Sequence, residues 1–313
     1  MKTPIEIYMI SGFLGSGKTT FLTQFLESFA DKKVGILVNE LGTINIDGVL
    51  IEKNGITMTE ITSGSIYCYC KQADFITVLK EFSSTDIDIL LIENSGMADP
   101  SNIHRILPQG VAENGRSYNY MGAICILDTM TFINHVSVLP SIANQVKSSN
   151  FIILNKVDMV SSERIKASKE AVYNLNKDAH IIETIYAEVT PSEISNYLKD
   201  NGYDGDTTNK CYNKFKSYSI ETKEVITAEQ IESFVEGVKS SLYRIKGFVR
   251  TEDKWLHIDV IEDTVIIKDT EIQKKQHLNC TKLVFIGRDD KEYKELLARE
   301  WKSNVASDFT IYE

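Results

Sequence analysis

The sequence of 313 residues predicts an α/β protein with a mostly parallel sheet, followed by a smaller α+β C-terminal domain. Three observations predict this fold class. Short apolar runs without polar alternation recur up to about residue 198, as expected for strands buried on both faces of a parallel sheet. Amphipathic stretches separate these runs, so strand and helix alternate. Beyond residue 199 several strand-like runs alternate with period two, which is typical of a sheet with one covered face.

The elements follow in order along the chain. In the first region the Ile-, Val- and Leu-rich runs predict strands at residues 5–10, 34–38, 88–92, 123–127, 151–154 and 181–186. The amphipathic stretches predict helices at residues 19–29, 73–82, 162–176 and 191–198. In the last region the predicted strands are 216–225, 242–250, 255–261, 264–268 and 282–286, with helices beginning at a capping box at 227–230 and spanning 291–301. We therefore predict domains at 1–200 and 216–313, joined by a polar, glycine-bearing linker at 201–215.

Charge and cysteine content exclude several function classes. The chain has 34 Lys and Arg against 44 Asp and Glu, a net charge of −10. An acidic chain lacks the cationic face that nucleic acids and anionic membranes require, so neither is an expected partner. No stretch approaches the ~20 apolar residues of a membrane span. The five cysteines are scattered apart from one close pair and form no disulfide framework, so we expect a cytoplasmic protein.

A glycine-rich loop follows the first predicted strand. Residues 11–20 are Ser-Gly-Phe-Leu-Gly-Ser-Gly-Lys-Thr-Thr, which satisfies the phosphate-loop pattern G-x-x-x-x-G-K-[ST] between a strand and a helix. Glycines let backbone amides surround a phosphate, and the helix start adds partial positive charge. The Lys18 ammonium can reach the β and γ phosphates, and the Thr19 hydroxyl can ligate Mg²⁺. The pattern predicts a P-loop NTPase whose nucleotide site contains Gly12, Gly15, Ser16, Gly17, Lys18, Thr19 and Thr20.

Two later segments extend this site. Glu93 ends an apolar strand, where a carboxylate can hold Mg²⁺ through water, and the Gly96 amide can hydrogen-bond the γ-phosphate and sense its loss. We therefore predict catalytic roles for Lys18, Thr19 and Glu93. Residues 155–158 are Asn-Lys-Val-Asp, the N-K-x-D pattern in which a carboxylate accepts from N1–H and the exocyclic amine of guanine. Asn155 would orient this loop, Lys156 would cover the base and Asp158 would select GTP over ATP.

Together these motifs resemble the CobW family of P-loop GTPases, relatives of the nickel-delivering GTPases of urease and hydrogenase. The resemblance covers nearly the whole chain and rests on residues 12–20, 38–48, 93–100, 155–158, 244–249 and 285–288. It implies a GTP-dependent metallochaperone or metal-cofactor assembly factor, usually associated with zinc or with cobalt and cobalamin. It also implies that residues 38–48 and 93–100 serve as switch I and switch II.

The metal motif departs from the family pattern. The family usually carries G-C-x-C-C, whereas residues 64–70 are Gly-Ser-Ile-Tyr-Cys-Tyr-Cys, with only Cys68 at a motif position and Cys70 added. Two thiolates at this spacing can share a Zn²⁺ or Co²⁺ ion, with Glu40 as a further ligand and His104 as a weaker candidate. The alternative is that both cysteines are ordinary small residues.

Two functions therefore remain open. The first is a GTPase that couples its GTP state to delivery of zinc or cobalt/corrinoid to a client metalloprotein or corrinoid-dependent enzyme. The alternative is a GTP-gated interaction module without its own metal, and an ATP-using kinase is a third hypothesis. Met97 stands where Ras-like switches place a water-orienting glutamine, so we expect slow hydrolysis. A homodimer that depends on nucleotide or metal is a further partner hypothesis.

Overall fold

The computed structural model describes residues 3–40, 57–62, 72–137, 139–205, 208, 215–261, 264–270, 280–288, 291–306 and 308–312. Within these ranges the chain forms two compact units, one from residue 3 to residue 208 and one from residue 215 to residue 312. None of the described helices is long and apolar enough to cross a membrane.

The described part of the first unit contains one parallel sheet. Its strands are β1 (Ile5–Gly12), β2 (Val34–Glu40), β3 (Thr57–Thr62), β4 (Ile89–Glu93), β5 (Tyr118–Asp128), β6 (Phe151–Asn155) and β7 (His180–Thr184). They lie in the order β3-β2-β4-β1-β5-β6-β7, and every neighbouring pair is parallel. All five positions of β4 and of β6 are buried, which explains why these runs lack polar alternation. The predicted α/β fold class is confirmed.

Helices cover both faces of this sheet. They are α1 (Lys18–Glu27), α2 (Gln72–Ser83), α3 (Ile103–Ile106), α4 (Phe132–Val136), α5 (Pro140–Lys147), α6 (Ser162–Leu175) and α7 (Pro191–Tyr197). Alternate strand residues enter two separate clusters: Leu90 and Ile92 pack in the cluster that contains α2, whereas Ile89 and Leu91 pack in the cluster that contains α1. The sheet is therefore doubly wound.

The strand order sets where a ligand can bind. Because the strands are parallel, the carboxyl ends of β4, β1, β5, β6 and β7 meet at one edge, and polar side chains follow there. Ligands of open α/β sheets bind at this edge, where the chain order of neighbouring strands reverses. Here β1 lies between β4 and β5, which makes the end of β1 such a reversal point.

The described part of the second unit is an antiparallel sheet with two helices. Its strands are β8 (Phe215–Thr222), β9 (Arg244–Arg250), β10 (Trp255–Ile261), β11 (Thr264–Thr270), β12 (Thr281–Arg288) and β13 (Thr310–Tyr312), in the order β11-β10-β9-β12-β8-β13. Helices α8 (Ala228–Val238) and α9 (Lys291–Asn304) contribute Phe234 and Trp301 to one core with Phe285 of β12. The capping box at Thr227 and Gln230 begins α8. The predicted α+β character of the smaller domain is confirmed.

Candidate nucleotide site

The loop between β1 and α1 requires glycine at two positions. Gly12 has φ +139°, and a Cβ atom there would lie 2.2 Å from the carbonyl oxygen of Ile126. Gly17 has φ +109°, and a Cβ atom would lie 2.6 Å from Nδ2 of Asn155. Side chains rarely adopt these backbone conformations and would also clash with fixed groups. The glycines of the motif thus serve the shape of the loop itself.

The start of α1 presents groups suited to an anion. Gly17 caps the helix in a left-handed conformation and no side chain caps its first amides. Lys18 is buried, and its Nζ donates to the carbonyl of Phe13 at 3.0 Å. The Ser16 hydroxyl is fully buried and has no hydrogen-bond partner among the described residues. Buried polar atoms are normally paired, so these groups fit a phosphate that would accept from them.

Thr19 and Glu93 meet although 74 positions separate them in the sequence. The Thr19 hydroxyl donates to Oε1 of Glu93 at 2.9 Å, and Glu93 is only 3% exposed at the carboxyl end of β4. Hydroxyl and carboxylate oxygens are the ligands that Mg²⁺ prefers. The pair fits the predicted Mg²⁺ site, in which Thr19 is the direct ligand and Glu93 the ligand through water.

Asn155 joins three parts of the site. Its Nδ2 donates to the carbonyl of Ser16 at 2.8 Å, while its Oδ1 accepts from the amide of Ala187 at 2.8 Å and from the Thr184 hydroxyl at 3.3 Å. Asp158 lies in a 3₁₀ turn, Val157–Met159, with its side chain exposed. The carboxylate predicted to read guanine is therefore open to solvent beside a loop that Asn155 ties to the phosphate loop.

Sequence reasoning missed two residues of this region. Asp128 ends β5 and its Oδ2 lies 2.5 Å from Nζ of Lys156, so it fixes the lysine predicted to cover the base. Asp128 ends an apolar strand as Glu93 does, so its position in the sequence could have indicated a site residue. Ala187 contributes its backbone amide, held where Tyr186 and Ala187 both have φ 57°. No side-chain pattern indicates such a conformation.

The predicted switch II segment, residues 93–100, is buried at every position. A Cβ atom on Gly96 would lie 2.6 Å from the backbone nitrogen of Leu14, so this glycine packs directly on the phosphate loop. From α5, Nε2 of Gln145 donates to the carbonyls of Gly96 (3.2 Å) and Ala98 (2.7 Å). The segment and the loop are thus in direct contact. Thr20, the last residue of the predicted loop, is exposed.

The predicted transition-metal ligands Cys68, Cys70 and the side chain of Glu40 lie outside the described residues, as does much of the predicted switch I. Within the ranges that the structure describes, no group of three or more His, Cys, Asp or Glu side chains could hold a metal ion. The weaker candidate, His104, contacts Asp200, with 3.2 Å between Nε2 and Oδ1. Burial raises the pKa of the Cys125 thiol to about 12, so it is an inert core residue.

Comparison with known protein families shows to which family this chain belongs. Residues 6–183, more than half of the chain, match the CobW/HypB/UreG nucleotide-binding domain. The chain belongs to the CobW/HypB/UreG family. Residues 215–303 match the C-terminal domain of the cobalamin synthesis protein cobW. The family resemblance expected from the motifs is therefore confirmed for both halves of the chain.

Relatives of this chain include proteins named for zinc. It is 29% identical over 231 residues to the zinc-regulated GTPase metalloprotein activator 1 of Dictyostelium discoideum, covering 62% of this chain and 48% of that protein. The Saccharomyces cerevisiae protein of the same name is 30% identical over 229 residues (65% and 52% covered). The zinc chaperone CobW of Pseudomonas aeruginosa is 25% identical over 336 residues (92% and 88% covered). The chain spans about half the length of the first two relatives.

Proposed function

We propose that this CobW-family protein binds and hydrolyses GTP and couples its nucleotide state to delivery of a metal ion to a client protein. The observation that carries the proposal is the triple contact of Asn155, which joins the phosphate loop, β7 and the loop after β7 beside the exposed Asp158. A single ligand with phosphates at one end and a base at the other fits this arrangement. Family membership and the names of the zinc-related relatives support it.

The chain's own residues would act mainly by position and charge. Lys18 and the amides at the start of α1 would hold the phosphates, and Gly96 would present its amide to the γ-phosphate. When bound to Thr19 and Glu93, Mg²⁺ would offset the negative charge that develops during transfer. Met97 is 6% exposed, and its thioether sulfur is only a weak hydrogen-bond acceptor that cannot orient a water molecule effectively. We therefore expect turnover below about 1 s⁻¹ for the isolated protein.

Base choice tests the nucleotide half of the proposal. Asp158→Asn replaces an acceptor pair by one donor and one acceptor, which suits N1–H and the C2 carbonyl of xanthine instead of the two donors of guanine. We expect GTP affinity to fall about 100-fold and XTP affinity to rise above that of wild type, measured by equilibrium titration with Mg²⁺. Asp178→Asn, at an exposed aspartate elsewhere in the unit, is the matched control. Unchanged GTP preference would contradict the assignment and favour the ATP-using kinase.

The metal half of the proposal rests on Cys68, Cys70 and Glu40 as ligands of the cargo ion. We propose zinc as that ion because three relatives carry zinc in their names, with cobalt as the alternative. The test replaces Cys68 and Cys70 by serine and measures Zn²⁺ and Co²⁺ affinity against a competing chelator, with GDP and with a non-hydrolysable GTP analogue. Cys211→Ser is the matched control. A loss of affinity of at least about tenfold in the double variant supports metal carriage.

A second candidate function follows from the altered motif, because Ser65 and Tyr67 replace two of the usual cysteines. In that case the protein is a GTP-gated module that remodels a metal- or corrinoid-dependent enzyme without carrying an ion. Metal affinity unchanged by the double substitution would favour it. Retrieval of the client, or of a second copy of the chain, on protein loaded with the GTP analogue then identifies the partner.

A further inference from the structure

The segment that leads towards the second unit is fastened to residues 99–105, which begin inside the predicted switch II and extend beyond it. We call this segment, residues 200–205 together with residue 208, the tether. Its contacts lie along residues 99–105: Asp200 with His104 (3.2 Å), Asp204 with Arg105 (2.9 Å), the Gly205 amide with the Ser101 carbonyl (3.2 Å), and Thr208 with Asp99 (2.6 Å). The polar segment that was predicted as a linker therefore makes specific contacts with the first unit.

Asp99 accepts more hydrogen bonds than any other of these attachment points for which a contact is given above. It is completely buried, and its carboxylate accepts from the amide and hydroxyl of Ser101, from Nδ2 of Asn144 (2.8 Å) and from the amide and hydroxyl of Thr208 (2.6 Å each). A buried carboxylate is costly unless donors surround it, and charge-assisted bonds of this kind are strong. Displacement of Asp99 therefore either carries Thr208 with it or breaks both bonds to the tether.

The position of Asp99 is in turn linked to the phosphate loop. Three residues earlier, Gly96 packs on the backbone of Leu14 so closely that no Cβ atom fits. Gln145 bridges the carbonyls of Gly96 and Ala98, while its neighbour Asn144 holds Asp99. Helix α5 thus fixes residues 96–99 as one piece. A ligand that rearranges the backbone around Leu14 must shift that piece or break its bonds.

We propose that the bound nucleotide sets how firmly the tether is held, with residues 96–99 as the element that responds and Asp99–Thr208 as the contact that changes. The inference rests on the proposed function, because it requires the γ-phosphate to act on Gly96. Asp99, Asn144 and Gln145 are positioning residues in this scheme, since they act through other groups. Two sites are then coupled through one element, and such coupling is reciprocal.

Hydrogen exchange on the full-length protein tests this proposal. With Mg²⁺ present, we expect the Gly205 and Thr208 amides to differ about fivefold in exchange rate between the GDP form and the form with a non-hydrolysable GTP analogue. Thr208→Ala removes the hydroxyl bond to Asp99 at a partly buried position and should reduce that difference. Because the coupling is reciprocal, Thr208→Ala should also change the ratio of the affinities for GDP and for the GTP analogue. The factor of this change should equal the factor by which the difference in exchange rate shrinks. Thr77→Ala, at an exposed α2 threonine bonded to the carbonyl of Ala73, is the matched control.

The outcomes separate this inference from the function on which it rests. Failure of the wild-type protein to take up either nucleotide overturns both. Saturable uptake of both nucleotides with equal exchange at the tether overturns the inference alone. A Thr208→Ala protein that keeps the wild-type exchange difference and affinity ratio also overturns it, because the proposed contact would then carry no coupling.

Discussion

Replacement of Asn155 by alanine should separate the phosphate loop from the base loop. The change removes three hydrogen bonds, to Ser16 at 2.8 Å, from Ala187 at 2.8 Å and from Thr184 at 3.3 Å. At about 1 kcal/mol for each bond, the free energy of unfolding should fall by about 3 kcal/mol. Ser16 and Ala187 belong to the loops that would hold the two ends of the nucleotide. Without these bonds GDP would have to order both loops as it binds, and at about 1 kcal/mol for each loop we expect its affinity to fall about 30-fold.

The assay needs both stability and binding, and β6 has a matched control beside it. Asn150 is 2% exposed, against 3% for Asn155; its Nδ2 donates to the carbonyl of Tyr197 (2.7 Å) and its Oδ1 accepts from the amide of Lys199 (3.0 Å). Asn150→Ala should lower the free energy of unfolding by about 2 kcal/mol and leave nucleotide affinity unchanged. Urea unfolding gives the first quantity, and titration with a fluorescent GDP analogue under folding conditions gives the second.

Two results would refute the reasoning. An Asn155→Ala protein that binds GDP within about twofold of wild type would mean that the link between the loops is not used in binding, since twofold is only about 0.4 kcal/mol. An Asn150→Ala protein that loses as much affinity would mean that general destabilisation, and not the position of Ser16 and Ala187, weakens binding.

The remaining predictions concern backbone strain and pH. Gly12→Ala should destabilise the protein by at least about 2 kcal/mol more than Gly202→Ala in urea unfolding, because a Cβ atom at Gly12 meets the Ile126 carbonyl at 2.2 Å, whereas at Gly202 (φ +66°) nothing lies within 4 Å; equal losses would contradict this. Burial, assisted by the charge of Lys246, lowers the pKa of His257 below its ordinary value of 6.5. As pH falls, the unfolded chain therefore protonates at this histidine before the folded chain does, and the free energy of unfolding should fall below pH 6.5. His257→Gln should weaken that fall, measured as the urea midpoint at neutral and mildly acidic pH, and an undiminished fall would count against the assignment.

The fold was predictable where burial leaves a strong pattern. The run of β4 is apolar at four consecutive positions because both of its faces are covered, and its strand assignment followed directly. The sequence TMTEIT of β3 was missed because β3 is an edge strand of its sheet and four of its six residues are polar. Helix α5 was also missed, although Pro140 at its first position is a start signal. Its eight residues are too few to show a clear apolar period. The helix nevertheless supplies Asn144 and Gln145, which bond residues 96–99.

The candidate site was predictable where its chemistry is contiguous in sequence. The loop at 11–20 and the group at 155–158 are continuous motifs, so their residues could be named in advance. The contacts of Asn155 could not, because Ala187 supplies a backbone amide from a loop 32 positions away. The same holds for Asp99 and Thr208, which are 109 positions apart. Such partners depend on which strand ends are neighbours, and periodicity carries no information about strand order.

Strand order also assigns directions within the site. Because β1 lies between β4 and β5, the phosphate loop has Glu93 and Gly96 on one side and Asp128 and Asn155 on the other. On the proposed function, the carboxylate paired with Thr19 would hold Mg²⁺ near the terminal phosphate on the first side, and the exposed Asp158 would bind the base on the other. A nucleotide would therefore lie across the end of β1 with its γ-phosphate towards β4. The segment that follows β4 contains Asp99, which bonds the tether, so the end of the ligand that hydrolysis changes would lie on the same side of the site as the tether.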